Sequence, residues 1–167
     1  YVLSKLFWNL DADVEAIRNE FLYYYFGEDA YENMLTFHRL IDINYAMIAD
    51  KGAVMLSYAG NFWSDEYWRI QTMNNLVALF DNSITAVKYN GNLTEKQKAD
   101  YVTNLEKAEL MPAYMRLYNA RRYGLDDANV KKLATEWISL AEKYGVIKTG
   151  ENDALTIEAV KIKYGIG

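Results

Sequence analysis

The chain has 167 residues, 51% of them apolar and 25% charged, enough for one domain with a single core and far from the composition of a disordered segment. A net charge of -5 and a pI near 5.0 argue against nucleic acid as a partner, because phosphate binding needs clustered Lys and Arg to replace counterions. The lack of Cys removes disulfides, thiolate zinc sites and cysteine nucleophiles, and no apolar run approaches the roughly 18 residues of a membrane span.

One proline and nine thinly spread glycines leave long stretches without helix breakers, which favours helix throughout. The chain opens on an apolar stretch with no initiator Met and no capping residue ahead of it, and is expected to be a piece of a longer protein. Tyr1 to Leu10 sets Val2, Leu3, Leu6 and Phe7 at helical spacing, and Asp11 offers an N-cap for a second helix running from Asp13 to Phe26. Gly27 closes that helix, and a third runs from Asp29 to Ala49 with Met34, Ile41, Tyr45 and Ile48 on one stripe. Residues 51 to 64 have no sustained period and read as a long connection ending at the N-cap Ser64. From Asp65 to Tyr89, Ile70, Met73, Val77, Phe80, Ile84 and Val87 advance in steps of three and four, the seam of a bundle.

Asn90-Gly91-Asn92 breaks the pattern, and Thr94 with Gln97 forms a capping box that opens a helix to Tyr123. Its stripe is Tyr101, Leu105, Ala108, Met115 and Tyr118; Pro112, inside it, predicts a kink near Ala108. Asp126 caps a helix to Tyr144 with Val130, Leu133, Trp137, Leu140 and Tyr144 facing the core, and Thr156 caps a short last helix over Ile157 to Tyr164. No period of 20 to 50 residues repeats. The expectation is a single all-α domain over 1–167, an irregular antiparallel bundle of six to seven helices.

Residues with chemistry are few. His38 is the sole histidine, which removes multi-histidine metal sites, and its place between Met34 and Ile41 is that of a packed structural residue. The acidic pairs Glu28-Asp29 and Asp65-Glu66 invite comparison with glycosidase carboxylates. Both fall in expected first turns of helices, where acids complement the helix dipole. No phosphate loop, dinucleotide fingerprint or calcium loop occurs, and no cofactor is expected. Arg116, Arg121, Arg122, Lys131 and Lys132 are the densest basic region and read as a solvated face. The aromatic groups remain: Trp8, the run Tyr23-Tyr24-Tyr25-Phe26, and Tyr58, Phe62 and Trp63 in the long connection. Consecutive helical residues point about 100° apart, so the three tyrosines cannot share one core and at least one is expected to be exposed.

The stretch from Tyr1 to Asn9, followed by Asp11-Ala12-Asp13-Val14 and Tyr25-Phe26-Gly27, together with the run Glu106 to Leu117, resembles the C-terminal α-helical region of a family of bacterial glycoside-hydrolase-like proteins. That family is named only as a domain of unknown function and is similar to α-glucuronidases and β-hexosaminidases. The resemblance implies a secreted or periplasmic parent acting on glycans, with catalytic carboxylates on an upstream barrel and none on this chain. It implies that the upstream barrel is the partner of this helical domain, and it leaves Trp8, Tyr58 and Trp63 as candidate contacts to that barrel or to a glycan. The alternatives are a helical glycan-binding or protein-interaction module, resembling tetratricopeptide-like glycan receptors, and a helical oligomerisation domain with a two-fold apolar face.

Overall fold

In the computed structural model the described residues are 1–50, 64–150 and 155–167. They form seven α-helices: α1 (Val2–Trp8), α2 (Val14–Phe26), α3 (Glu28–Asp50), α4 (Ile70–Tyr89), α5 (Glu95–Asn119), α6 (Asp127–Lys143) and α7 (Ile157–Tyr164). Among the described residues the only β feature is an isolated bridge between Lys148 and Thr156. The chain is an all-α helical bundle. It divides into two compact units, Tyr1–Ile43 with Ala78–Glu106 and Asn44–Val77 with Lys107–Gly167, so α3, α4 and α5 each contribute one end to each unit.

In the first unit α1 packs on α2, and the core is built from Leu22 and Phe26 of α2, Ala30, Met34 and Phe37 of α3, and Phe80 of α4. Phe37 and Phe80 meet edge to face with ring centroids 4.9 Å apart, a favoured aromatic geometry. Ser83, fully buried, donates to the Leu79 carbonyl at 2.7 Å and accepts from Asn33 at 3.1 Å, so its hydroxyl leaves no unmet demand. The junction of α2 and α3 is tightest at Gly27. Its φ of 89° and ψ of 159° lie in a region open essentially to glycine, and a Cβ there would sit 2.8 Å from the Tyr101 ring. Asn104 donates to the Tyr25 carbonyl at 2.7 Å and takes up one of the unpaired carbonyls at the end of α2.

The second unit centres on α6 and α7, which pack together. Leu117, Ala134, Trp137, Ile138, Ala141, Ile157 and Val160 form one buried cluster. Trp137 lies 4.8 Å from the Tyr114 ring and donates its indole N–H to the Leu110 carbonyl at 3.0 Å. Burial raises the Tyr164 hydroxyl to about 12. Asp126 accepts from the Asn129 N–H at 2.8 Å as the N-cap of α6, and Thr156 accepts from Ala159 at 3.1 Å as that of α7. At the end of α6 the chain turns left-handed at Gly145, φ 67°. The bonds Gly145 N–H to Glu142 and Val146 N–H to Ala141 close a Schellman motif there, with Val146 returned to the cluster.

Several boundaries and faces differ from the sequence expectation. The N-cap of α2 is Asp13, which accepts from the Glu15 and Ala16 N–H groups, and not Asp11. Residues 9–12 are taken by a turn in which the Asn9 side chain accepts from the Asp11 N–H at 3.1 Å. Ser64 does cap a turn, through Glu66 N–H at 3.1 Å, but α4 starts only at Ile70. Trp68 is 2% exposed, and its carbonyl accepts the Tyr123 hydroxyl. The Thr94–Gln97 capping box forms in both directions. The helix it opens is unbroken across Pro112 but ends at Asn119, with the turn over residues 120–125 closed by a Schellman pair at Gly124. Tyr45 and Tyr118 point outward, at 45% and 40% exposure. Asn44 is buried on α3 in place of Tyr45, and Tyr118 lies beneath the charges of Arg122 and Lys163, each within 6 Å of its ring.

Candidate binding groove

Along α1, positions 1, 4, 5 and 8 are spaced to share one face, and the structure sets that face against α2. Tyr1, Ser4, Lys5 and Trp8 on one side and Asp13, Ala16, Ile17 and Glu20 on the other line an open groove of about 610 Å³. The Lys5 ammonium reaches both carboxylate oxygens of Glu20, at 2.8 and 2.7 Å, and stands 5.1 Å from the centre of the Tyr1 ring. Tyr1 in turn lies 5.5 Å from Phe21, which stacks on Tyr25 at 4.8 Å. The groove therefore joins an aromatic wall to a fixed ion pair.

Hydrogen bonding from Lys5, and after it from Tyr1, holds the Glu20 carboxyl below its ordinary value, and hydrogen bonding to Glu20 holds the Lys5 ammonium above its own. A general acid needs the opposite shift, a carboxyl kept protonated near neutrality. Asp13, the other carboxylate of the groove, has one oxygen committed to the first turn of α2. The chemistry available here is stacking on the ring faces and hydrogen bonding to polar groups at the rim.

Of the candidate contacts, Trp8 lies at the mouth of this groove and is 93% exposed. Tyr58 and Trp63, with Phe62, fall outside the described residues. On the outer side of α1, Leu3, Phe7 and the following Leu10 are 71%, 83% and 84% exposed, and no residue of the helix is buried. Of the tyrosine run, Tyr24 is the most exposed at 70%, whereas Phe26 is buried.

The remaining candidates lie outside the groove. His38 is half-buried on α3, held below its ordinary value by burial first and by the Arg18 charge second, so it stays neutral at physiological pH. Glu28 accepts from the Tyr23 hydroxyl at 3.2 Å and Asp29 from Asn90 at 2.7 Å. Both lie in the first turn of α3 as expected. Asp65-Glu66 occupies the turn after Ser64 and not a helix start. Among the described residues no group of three His, Asp or Glu side chains is placed to hold a metal, and no helix is long and apolar enough to cross a membrane. The Lys5–Glu20 pair was not legible in the sequence, since its two members are 15 positions apart on different helices. No protein-family model matches the chain, and neither a curated protein nor a solved structure matches it.

Proposed function

We propose that this chain is a non-catalytic helical accessory domain of a glycoside-hydrolase-like protein, and that the outer face of α1 docks on the barrel of that protein. The observation that carries the reading is the set Leu3, Phe7 and Leu10 on that side, with Trp8 beside it at the groove, each more than 70% exposed within eight residues. A short helix that is apolar on nearly every side gains little from water and is normally covered. The resemblance of Tyr1 to Asn9, Asp11 to Val14, Tyr25 to Gly27 and Glu106 to Leu117 to the helical region of that family supplies the identity of the cover. Catalysis belongs to the barrel in this reading, since the groove carboxylates are tied to Lys5 and to the α2 cap.

The test is amide hydrogen exchange of α1 in the isolated chain and in a protein that also carries the barrel. Residues 3–8 are expected to be protected at least about tenfold more with the barrel present, and Phe7→Ser is expected to remove that protection without altering thermal unfolding of the isolated chain. Equal exchange in the two proteins would refute the docking. A panel of aryl-glycosides serves as the second arm: the isolated chain is expected to turn over none of them, and turnover abolished by Asp65→Asn or Glu66→Gln would overturn the non-catalytic assignment.

The groove supports a second reading, a direct glycan contact, because Tyr1 and Trp8 present ring faces beside a fixed pair of hydrogen-bonding charges. Saturable quenching of Trp8 fluorescence by an oligosaccharide, lost in Glu20→Ala, would favour it over pure docking.

A further inference from the structure

The basic region of the sequence is solvated at four of its five positions. Arg121 pairs with Asp127 at 2.8 Å, Arg122 bonds the Asn119 side chain at 3.1 Å, and Lys131 and Lys132 are exposed. Arg116 is the exception. It is half-buried on α5, no hydrogen bond or ion pair joins it to another described residue, and its Nε is fully enclosed without a partner. A guanidinium carries five donors and no acceptor, and of those of Arg116 only the Nε is enclosed.

Arg116 lines a pocket of about 230 Å³ together with Asn74 of α4 and Asn129, Lys132 and Glu136 of α6. Ile70, Leu125 and Leu133 supply its apolar part. The side chains of Asn74 and Asn129 make no hydrogen bond to another described residue and are available to a ligand. We infer that this pocket is a binding site for a small monocarboxylate with an apolar body, the carboxylate engaging the Arg116 fork and the body resting on Ile70 and Leu133. The planar guanidinium matches a carboxylate in two parallel bonds. The charge count selects a monoanion: Arg116 and Lys132 give two positive charges and Glu136, 3.9 Å from Lys132, removes one. A dianion such as phosphate would be left facing Glu136 with a charge uncompensated.

The probe is sodium benzoate, titrated into the whole chain and followed by amide chemical shifts, with sodium chloride at matched ionic strength and inorganic phosphate as parallel arms. Benzoate is expected to give saturable shifts at Asn74, Asn129 and Lys132, and Arg116→Gln to weaken binding at least about tenfold, the loss of a charge-assisted bond. Lys132→Gln, at an exposed position, is expected to weaken it several-fold and stands in should Arg116→Gln fail to fold. Absence of saturable shifts, affinity unchanged in both variants, or phosphate binding at least as tightly as benzoate would overturn the assignment.

Discussion

Two helices with apolar residues at the same spacing meet opposite fates. On α6, Val130, Ala134, Trp137, Ile138 and Ala141 are buried, and the back of the helix is polar, with Lys131, Lys132, Thr135, Glu136 and Glu142. On α1 no residue is buried, and apolar side chains occur on nearly every side of its seven residues. Periodicity reports that a segment is helical; the polarity of its back face reports whether burial on one side suffices. By that measure α6 is completed by its own unit, and α1 has apolar surface left over after packing on α2.

The largest test of this contrast is Trp137→Ala. The ring fills the α6–α7 cluster, and its indole N–H satisfies the Leu110 carbonyl, so the substitution is expected to cost about 3–5 kcal/mol. Trp8→Ala, removing the same side chain from an exposed position, is expected to stay within about 0.5 kcal/mol of the parent. Denaturant unfolding of the two variants measures the difference directly, and equal losses would erase the distinction between the helices.

Gly27→Ala comes next. It places a methyl group against the Tyr101 ring and forces a side chain into a glycine-only conformation, at an expected cost of about 1–3 kcal/mol for the backbone alone. In a Tyr101→Ala background the collision disappears and only the backbone part should remain. If the penalty is the same in both backgrounds, the ring contact contributes nothing and the junction of α2 and α3 is held by conformation alone.

What the sequence disclosed and what it hid follow one division. Local chemistry was legible: the Asp126 and Thr156 caps, the Thr94–Gln97 box and the glycine at the end of α6 each act within five residues. So was the exposure within the tyrosine run, because helical geometry alone forbids three neighbours a common core. Trp68 was not legible as a core residue, since it precedes the helix and its carbonyl is met by a hydroxyl 55 positions away. Arg116 was hidden in the same way, because a basic cluster in sequence cannot show which of its members is drawn partly out of solvent by the fold. The choice between Asp11 and Asp13 was a local matter decided by a competitor, the Asn9 side chain, which claims residues 9–12 for a turn. Asp13→Ala is accordingly expected to cost about 1 kcal/mol, and Asp11→Ala close to nothing. Reversed values in thermal unfolding would return the cap to Asp11.

The smallest expected effect concerns the attachment of α1 itself. Glu20 is held below its ordinary value of 4.5 by hydrogen bonds from Lys5 and then Tyr1. Its contribution is therefore present above that value and lost as the pH falls through the lowered folded one. Lys5 is held above its ordinary 10.5, chiefly by Glu20, so its contribution is complete below 10.5 and lost as the pH rises through the raised folded value. Between the two losses lies a broad neutral plateau on which α1 is best anchored. Both groups are open to solvent, so the gain is small and screened by salt. A carboxyl titration by NMR checks it: the Glu20 midpoint is expected below that of a free glutamate, and to rise toward the ordinary value in Lys5→Gln and in high salt. The α1 amide shifts should drift toward coil through the same midpoint. A Glu20 that titrates at 4.5 in the parent and does not respond to Lys5→Gln would mean that the pair does not hold α1, leaving its attachment to apolar contacts such as Tyr1 against Phe21 and the half-buried Val2 and Leu6.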